Sequence, residues 1–293
     1  MHHSVVVALG VALCSAVVAF LVSTRVRPAT AARAITTLAA VSAVSAFWAL
    51  LIVVGAHVVQ LHGVAERFSW CSHLSVAHRG TLDPIGVGAI VTLVGVLVSG
   101  LRVRHRQRVL RAPSGHSELA ILDSDAPTAY ALPGKPGQIV VSTGMLRSLD
   151  PHERRVLLAH ERAHLRCHHH RYVRLTQLSA AAMPVLAPLN SRVRFATERW
   201  ADEEAALEVG DRAVVARAIA HAAIAQTDAA EGGLAIADTG VVQRIESLLN
   251  EDPNASRLTE LGLTGAITGA VSGLVLSVVL VEPWVAKLVG FCH

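Results

Sequence analysis

The chain has 293 residues, 52% of them apolar and only 16% charged. That charge content lies well below the roughly 25% of an ordinary globular domain, which excludes a conventional water-soluble fold for the whole chain and points to a bilayer. The formal net charge is +4, carried by Arg except at Lys135 and Lys287. The arginines flank apolar runs, so membrane topology explains them better than direct contact with nucleic acid.

Segments 4–22, 34–61, 84–101 and 261–281 carry no Asp, Glu, Lys or Arg, and each is long enough to cross a hydrocarbon core. The first has no Lys or Arg ahead of it and is longer than a signal-peptide core, so it reads as a span; Ala-x-Ala at 29–31 is the alternative cleavage site. Arg25, Arg27 and Arg33 follow the first span, and Arg102, Arg104, Arg106, Arg108 and Arg111 follow the third. The loop after the second span carries Arg67 and Arg79, and the tail after the fourth carries Lys287. Arg-rich short loops stay cytoplasmic. The expected topology in the plasma membrane has both termini outside. Residues 1–101 hold three spans with an outer loop at 62–83, residues 102–258 form a cytoplasmic domain, and residues 259–293 hold the fourth span and an outer tail. In the fourth span Gly265, Gly269 and Gly273 recur every four residues. They place small residues on one face, for packing within the chain or for self-association.

In the cytoplasmic part, 117–123, 128–132 and 138–142 read as strands. "PGKPG" between the last two makes 128–142 a hairpin. Asp150, Pro151 and Glu153 form a helix start with a capping box, and the helix is expected to run from 151 to Ala182, where Pro184 and Pro188 interrupt it. Further helices follow at about 189–209, from Asp211 onward, and at 241–250, with 228–240 as a loop. The apolar piece 178–189 is too short and too broken by Pro for a fifth span, and reads as an interfacial segment or a wall of a cleft.

On the first of these helices lies "HERAH". His160 and His164, four residues apart, project from one face, with Glu161 between them in sequence. The pattern HExxH supplies two zinc ligands and a carboxylate that acts as general base. Zinc needs a third protein ligand and an open position. In "ATERWADEEA", Glu198 and Asp202 share a face of the next helix; Glu198 completes the set of one Zn2+ per chain, and Asp202 orients a ligand imidazole. The alternative is a solvated histidine-rich helix face. Val156, Leu157, Leu158, Ala159 and Ala163 argue against it, because they make the segment partly buried. His168 is too far along a continuous helix to join His160, so His168, His169 and His170 are expected to face solvent or headgroups, with an accessory metal role as the lesser reading. Cys167 falls off the His160/His164 face and is expected to be an inert thiol.

The run "TAYALPGKPGQIVVSTGMLRSLDPHERRVLLAHERAH", followed by "ERWAD" and "QRIESLL", resembles the BlaR/MecR-type membrane zinc metallopeptidases, relatives of HtpX-like and CAAX-protease-like gluzincins. The resemblance covers about 117–250. It implies a four-span α-helical membrane protein with a cytoplasmic α+β gluzincin-type zinc peptidase domain. His160, His164 and Glu198 would be the zinc ligands, Glu161 the base, and Asp202 the partner of a ligand. Sensor proteins of that type continue into an outer penicillin-binding domain. This sequence reaches only His293 and has no S-x-x-K motif, so acylation by a β-lactam is not expected.

The implied activity is hydrolysis of peptide bonds in a cytoplasmic protein, such as a transcriptional repressor in a signalling step. The alternatives are quality control of membrane proteins and a non-enzymatic metal-binding sensor. Glu161 would move the proton. His221 and Arg199 are candidates for stabilising the oxyanion. Ala129, Tyr130 and Ala131 would form an edge to which an extended substrate adds. Cys71 and Cys292 share the outer compartment in this topology and could pair if their Cα atoms lie within about 7 Å; two separate thiols are the alternative.

Overall fold

The computed structural model describes residues 2–22, 26–58, 84–109, 118–229, 239–250 and 257–281. Residues 62–83, expected to form an outer loop, lie outside the described residues, and so do Cys71 and Cys292. In chain order the elements are α1 (His2–Leu21), α2 (Pro28–Val58), α3 (Pro84–Val109), β1 (Leu119–Leu122), β2 (Ala129–Leu132), β3 (Gln138–Ser142), α4 (Thr143–Ser148), α5 (Pro151–Arg166) and α6 (His169–Ala182). A 3-10 turn (Pro184–Leu186), α7 (Leu189–Val209), α8 (Arg212–Ala229), α9 (Thr239–Leu249) and α10 (Arg257–Val279) complete them.

Among the described residues, α1, α2, α3 and α10 are long and apolar enough to cross a membrane. Leu13, Ile85, Val91 and Leu261 on them are exposed, a cost that surrounding hydrocarbon would remove. Of the three registered glycines, Gly273 meets α1, where an added Cβ would lie 2.6 Å from Val11, while Gly265 and Gly269 face open space.

The ends of these helices do not stand apart from the rest of the chain. Ala19 of α1, Val22 just after it, and Ala32, Ile35 and Leu38 of α2 share one core with Leu186, Leu189, Val193 and Trp200. Arg192 donates to the carbonyls of Phe20 (2.5 Å) and Val22 (2.8 Å), filling acceptors that a helix C-terminus leaves open. Thr36 and Thr176 hydroxyls meet at 3.3 Å. Segment 178–189 is therefore a wedge between the apolar helices and α7, and contributes nothing to the cleft described below.

The three-stranded sheet has the order β1-β3-β2. β1 runs parallel to β3, with Ala120 opposite Val140, and β2 runs antiparallel to it, with Tyr130 opposite Val140. β1 and β2 are shorter than the expected 117–123 and 128–132, β3 spans 138–142 as expected, the hairpin is as expected, and β2 forms an edge. Ser142 ends β3 and caps α4, accepting from Met145 N–H (3.1 Å) and Thr128 N–H (2.9 Å). Gly144 follows, where a Cβ would fall 2.0 Å from the Asp125 carbonyl oxygen, so no larger residue fits that approach.

The start of α5 is as read from sequence. Asp150 accepts from His152 and Glu153 N–H at 2.7 and 2.9 Å, and Glu153 accepts from the Asp150 N–H at 3.0 Å. Its end is not. The helix stops at Arg166, and His168 adopts a left-handed conformation with φ 54° before α6 begins. The expected continuous helix to Ala182 is thus two helices. No Gly or Pro marks the break, and His is among the non-glycine residues that tolerate this conformation best. Tertiary packing of α6 against α2 and α3 overrides helical continuity. Asp211 caps α8 through Ala213 and Val214 N–H. The helix runs to Ala229, so the connection to α9 is shorter than 228–240.

Candidate metal centre

α5 lies beside β2 and packs on α7, and this places the HExxH face opposite Glu198. The Nε2 atoms of His160 and His164 stand 3.0 Å apart. Glu198 Oε2 lies 3.4 Å from His160 Nε2, and Oε1 lies 3.5 Å from His164 Nε2. One donor atom from each residue falls within 4.8 Å of the others. Tetrahedral zinc with bonds of about 2.0–2.1 Å holds its donors roughly 3.3 Å apart. Two imidazoles and a carboxylate at these separations fit zinc in spacing and in chemistry.

The surrounding charges fix this trio. His160 Nδ1 meets Asp202 Oδ1 at 3.0 Å. Asp202, almost fully buried, also accepts from Arg244 Nε and Nη2, both at 2.7 Å. Arg244 in turn lies 3.3 Å from Glu198. Burial opposes charge on His160, but Asp202 and Glu198 outweigh it and raise its pKa to about 10. Burial, reinforced by the His160 charge, pushes His164 down to about 4. Burial works against the Asp202 carboxylate, yet Arg244 and His160 hold it below its ordinary range. Glu198 is likewise held low, its contact with His160 overcoming burial. Glu161 differs. It is buried on the cleft wall, and burial raises its pKa, the direction that suits a proton carrier near neutrality.

The cleft over this centre has a volume of about 1310 Å³ and is lined by β2, α5, α8 and the facing sides of α6 and α7. That exceeds the roughly 300–1,000 Å³ of a small-molecule pocket and suits a length of polypeptide. Ala129, Tyr130 and Ala131 line it. Val215, Ala218 and Ile219 supply an apolar side.

Three expectations need correction. His221 meets Glu153 at 2.5 Å, and Arg199 is buried with its guanidinium over Phe195. Neither lines the cleft, so neither is placed to meet an oxyanion. His169 is not solvent-facing: it is 2% exposed and touches His164. His168 does remain exposed, and Cys167 is partly buried, with burial raising its thiol pKa. Sequence reasoning also passed over Arg244, although "QRIESLL" contains it; an Arg on the polar side of α9 looks like any solvated cation until Asp202 is seen opposite.

No curated protein and no solved structure matched the chain. Residues 102–236, which run from the end of α3 through α8, match the model of Peptidase family M48 and support a metallopeptidase of that zinc-dependent family.

Proposed function

We propose that the chain is a membrane-anchored zinc metalloendopeptidase that cuts a cytoplasmic protein. The observation that carries this is the convergence of His160, His164 and Glu198 from two helices beside buried Glu161, at the floor of a cleft with a sheet edge along its side. His160, His164 and Glu198 would hold the metal, which when bound supplies Lewis acidity to water and to the scissile carbonyl. Glu161 takes a proton from the attacking water onto its carboxylate and delivers it to the leaving nitrogen. Asp202 fixes the His160 ring through Nδ1, and Arg244 holds Asp202 and leans on Glu198. Ala129–Ala131 present the free edge of β2 to an extended substrate, with main-chain hydrogen bonds setting its direction.

The anchoring reading is supported by the side on which the helices meet the peptidase part. The C-terminal end of α1, the N-terminal end of α2 and part of α10, including Leu263 and Ile267, gather at the core shared with α7. This suits an Arg-rich cytoplasmic face carrying residues 102–258 and outer termini. We favour a signalling substrate, such as a transcriptional repressor, over general quality control, because residues 165–197, between His164 and Glu198, hold only the end of α5, α6, the 3-10 turn and the first part of α7, with no further pair of helices inserted. Comparing protein N-termini in cells carrying wild type or Glu161→Gln tests it. One substrate accumulating supports signalling, many support quality control, and none excludes peptidase activity under those conditions.

A further inference from the structure

His169 lies next to the metal trio, yet the mechanism above leaves it without a task. Its Nδ1 stands 2.9 Å from His164 Nδ1. The two rings meet edge to face at 4.8 Å, and the other side of His169 rests on Trp200, also at 4.8 Å between ring centres. The left-handed turn at His168 puts it there, since a continuous helix would carry residue 169 off the ligand face. We infer that His169 is a positioning residue for His164, accepting the Nδ1–H of His164 and so holding that imidazole with its Nε2 lone pair free for the metal. The inference rests on the reading of His160, His164 and Glu198 as a zinc site.

Two ring nitrogens at 2.9 Å need one proton between them. If His169 supplied it, the neutral His164 ring would carry its own proton on Nε2 and could not ligate. If His164 supplies it, His164 Nε2 faces the trio as a lone pair. Ligation therefore selects the second arrangement. Metal-binding histidines commonly donate their other N–H to a fixed acceptor. For His160 that acceptor is Asp202, and for His164 it is His169. The arrangement leaves the His169 proton on Nε2, a buried atom with no hydrogen-bond partner among the described residues. An orphaned buried N–H is costly. A residue kept only to fill space would be better as Leu or Met, so the retained imidazole argues for its Nδ1. Trp200 holds the ring plane from the far side, and the guanidinium of Arg33 in α2 lies over the same indole at 4.9 Å.

The test uses the full chain in detergent, with zinc affinity measured by competition with a chromophoric chelator. His169→Leu keeps bulk and removes the acceptor, and should weaken zinc by roughly 10–100-fold. His169→Asn restores an acceptor oxygen near the lost Nδ1 and should recover most of the affinity. Cobalt(II) spectra should follow the same order. Unchanged affinity in His169→Leu would overturn the inference. So would equal losses in both variants that track their metal-free melting temperatures, which would make His169 a packing residue. Should a variant not fold, wild type still decides: nitrogen shifts of 15N-histidine-labelled zinc protein should show His169 as the Nε2–H tautomer, and the Nδ1–H form would refute it. Wild type that takes up no zinc would instead sink the metal-site reading itself.

Discussion

Asp202→Asn is the most informative change to the charge network. The carboxylate receives His160 at 3.0 Å and two Arg244 nitrogens at 2.7 Å while only 1% exposed. Asparagine keeps the shape but offers one oxygen in place of two, and its amide turns a donor toward a donor. Arg244 would then rely on Glu198 at 3.3 Å. Removing one partner of a buried ion pair costs about 3–5 kcal/mol, and the surviving Glu198 contact argues for the low end, about 3 kcal/mol. For a unit of this size each kcal/mol lowers Tm by about 2–4 °C, so the metal-free protein should melt roughly 6–12 °C lower. Zinc affinity should fall by about 10–100-fold as the His160 ring loses its anchor. Thermal melts of the detergent-solubilised protein and chelator competition measure the two effects. A variant that matches wild type in both would show that Asp202 neither braces Arg244 nor orients His160.

Glu161→Gln should abolish proteolysis and leave zinc content intact, measured by peptide cleavage and metal analysis, because it removes the proton carrier and keeps all three donors. Glu198→Ala should lose zinc, leaving two protein ligands; stoichiometric zinc after dialysis would place the third ligand elsewhere. Gly144→Ala should lower Tm sharply, since its Cβ would meet a backbone oxygen at 2.0 Å, and an unchanged melt would mean that the Ser124–Asp125 loop gives way freely. Metal-free protein should lose stability as pH falls from 7 to 5. His164 and His169 have folded pKa values of about 4 and about 3, below an unfolded value near 6.5, so the unfolded chain binds more protons throughout that window. His160, at about 10, acts in the opposite sense, its contribution fading as pH rises from about 6.5 toward 10. A flat melting profile between pH 7 and 5 would contradict the burial of His164 and His169.

The elements with local causes were legible in the sequence. The capping box at Asp150, the PGKPG hairpin, the four apolar helices and the i, i+4 pairs His160/His164 and Glu198/Asp202 each follow from a short-range rule, and the structure brings both pairs to one point. What escaped was decided by contacts distant in sequence. The break at His168 has no punctuating residue, because α2 and α3 impose it. The burial of His169 follows from that break and could not be seen without it. Arg244 lies 42 residues beyond Asp202, and neither its helix nor its neighbours distinguish it from a solvated cation. Segment 178–189 was ambiguous for the same reason: its apolar side chains are plain in the sequence, but not which surface they cover.

Leu186, Leu189 and Val193 are shielded by Val22 and Val26 and by residues of α1 and α2, among them Ala19, Ala32, Ile35 and Leu38. A fragment starting at residue 102 would uncover that face, forfeiting about 1.5–3 kcal/mol for each large aliphatic side chain returned to water. Such a fragment should aggregate even with every catalytic side chain present, and purification would have to retain the N-terminal helices. The helix carrying Glu198 is also the helix on which α1 and α2 pack, so a displacement of those helices would reach the carboxylate through one rigid rod.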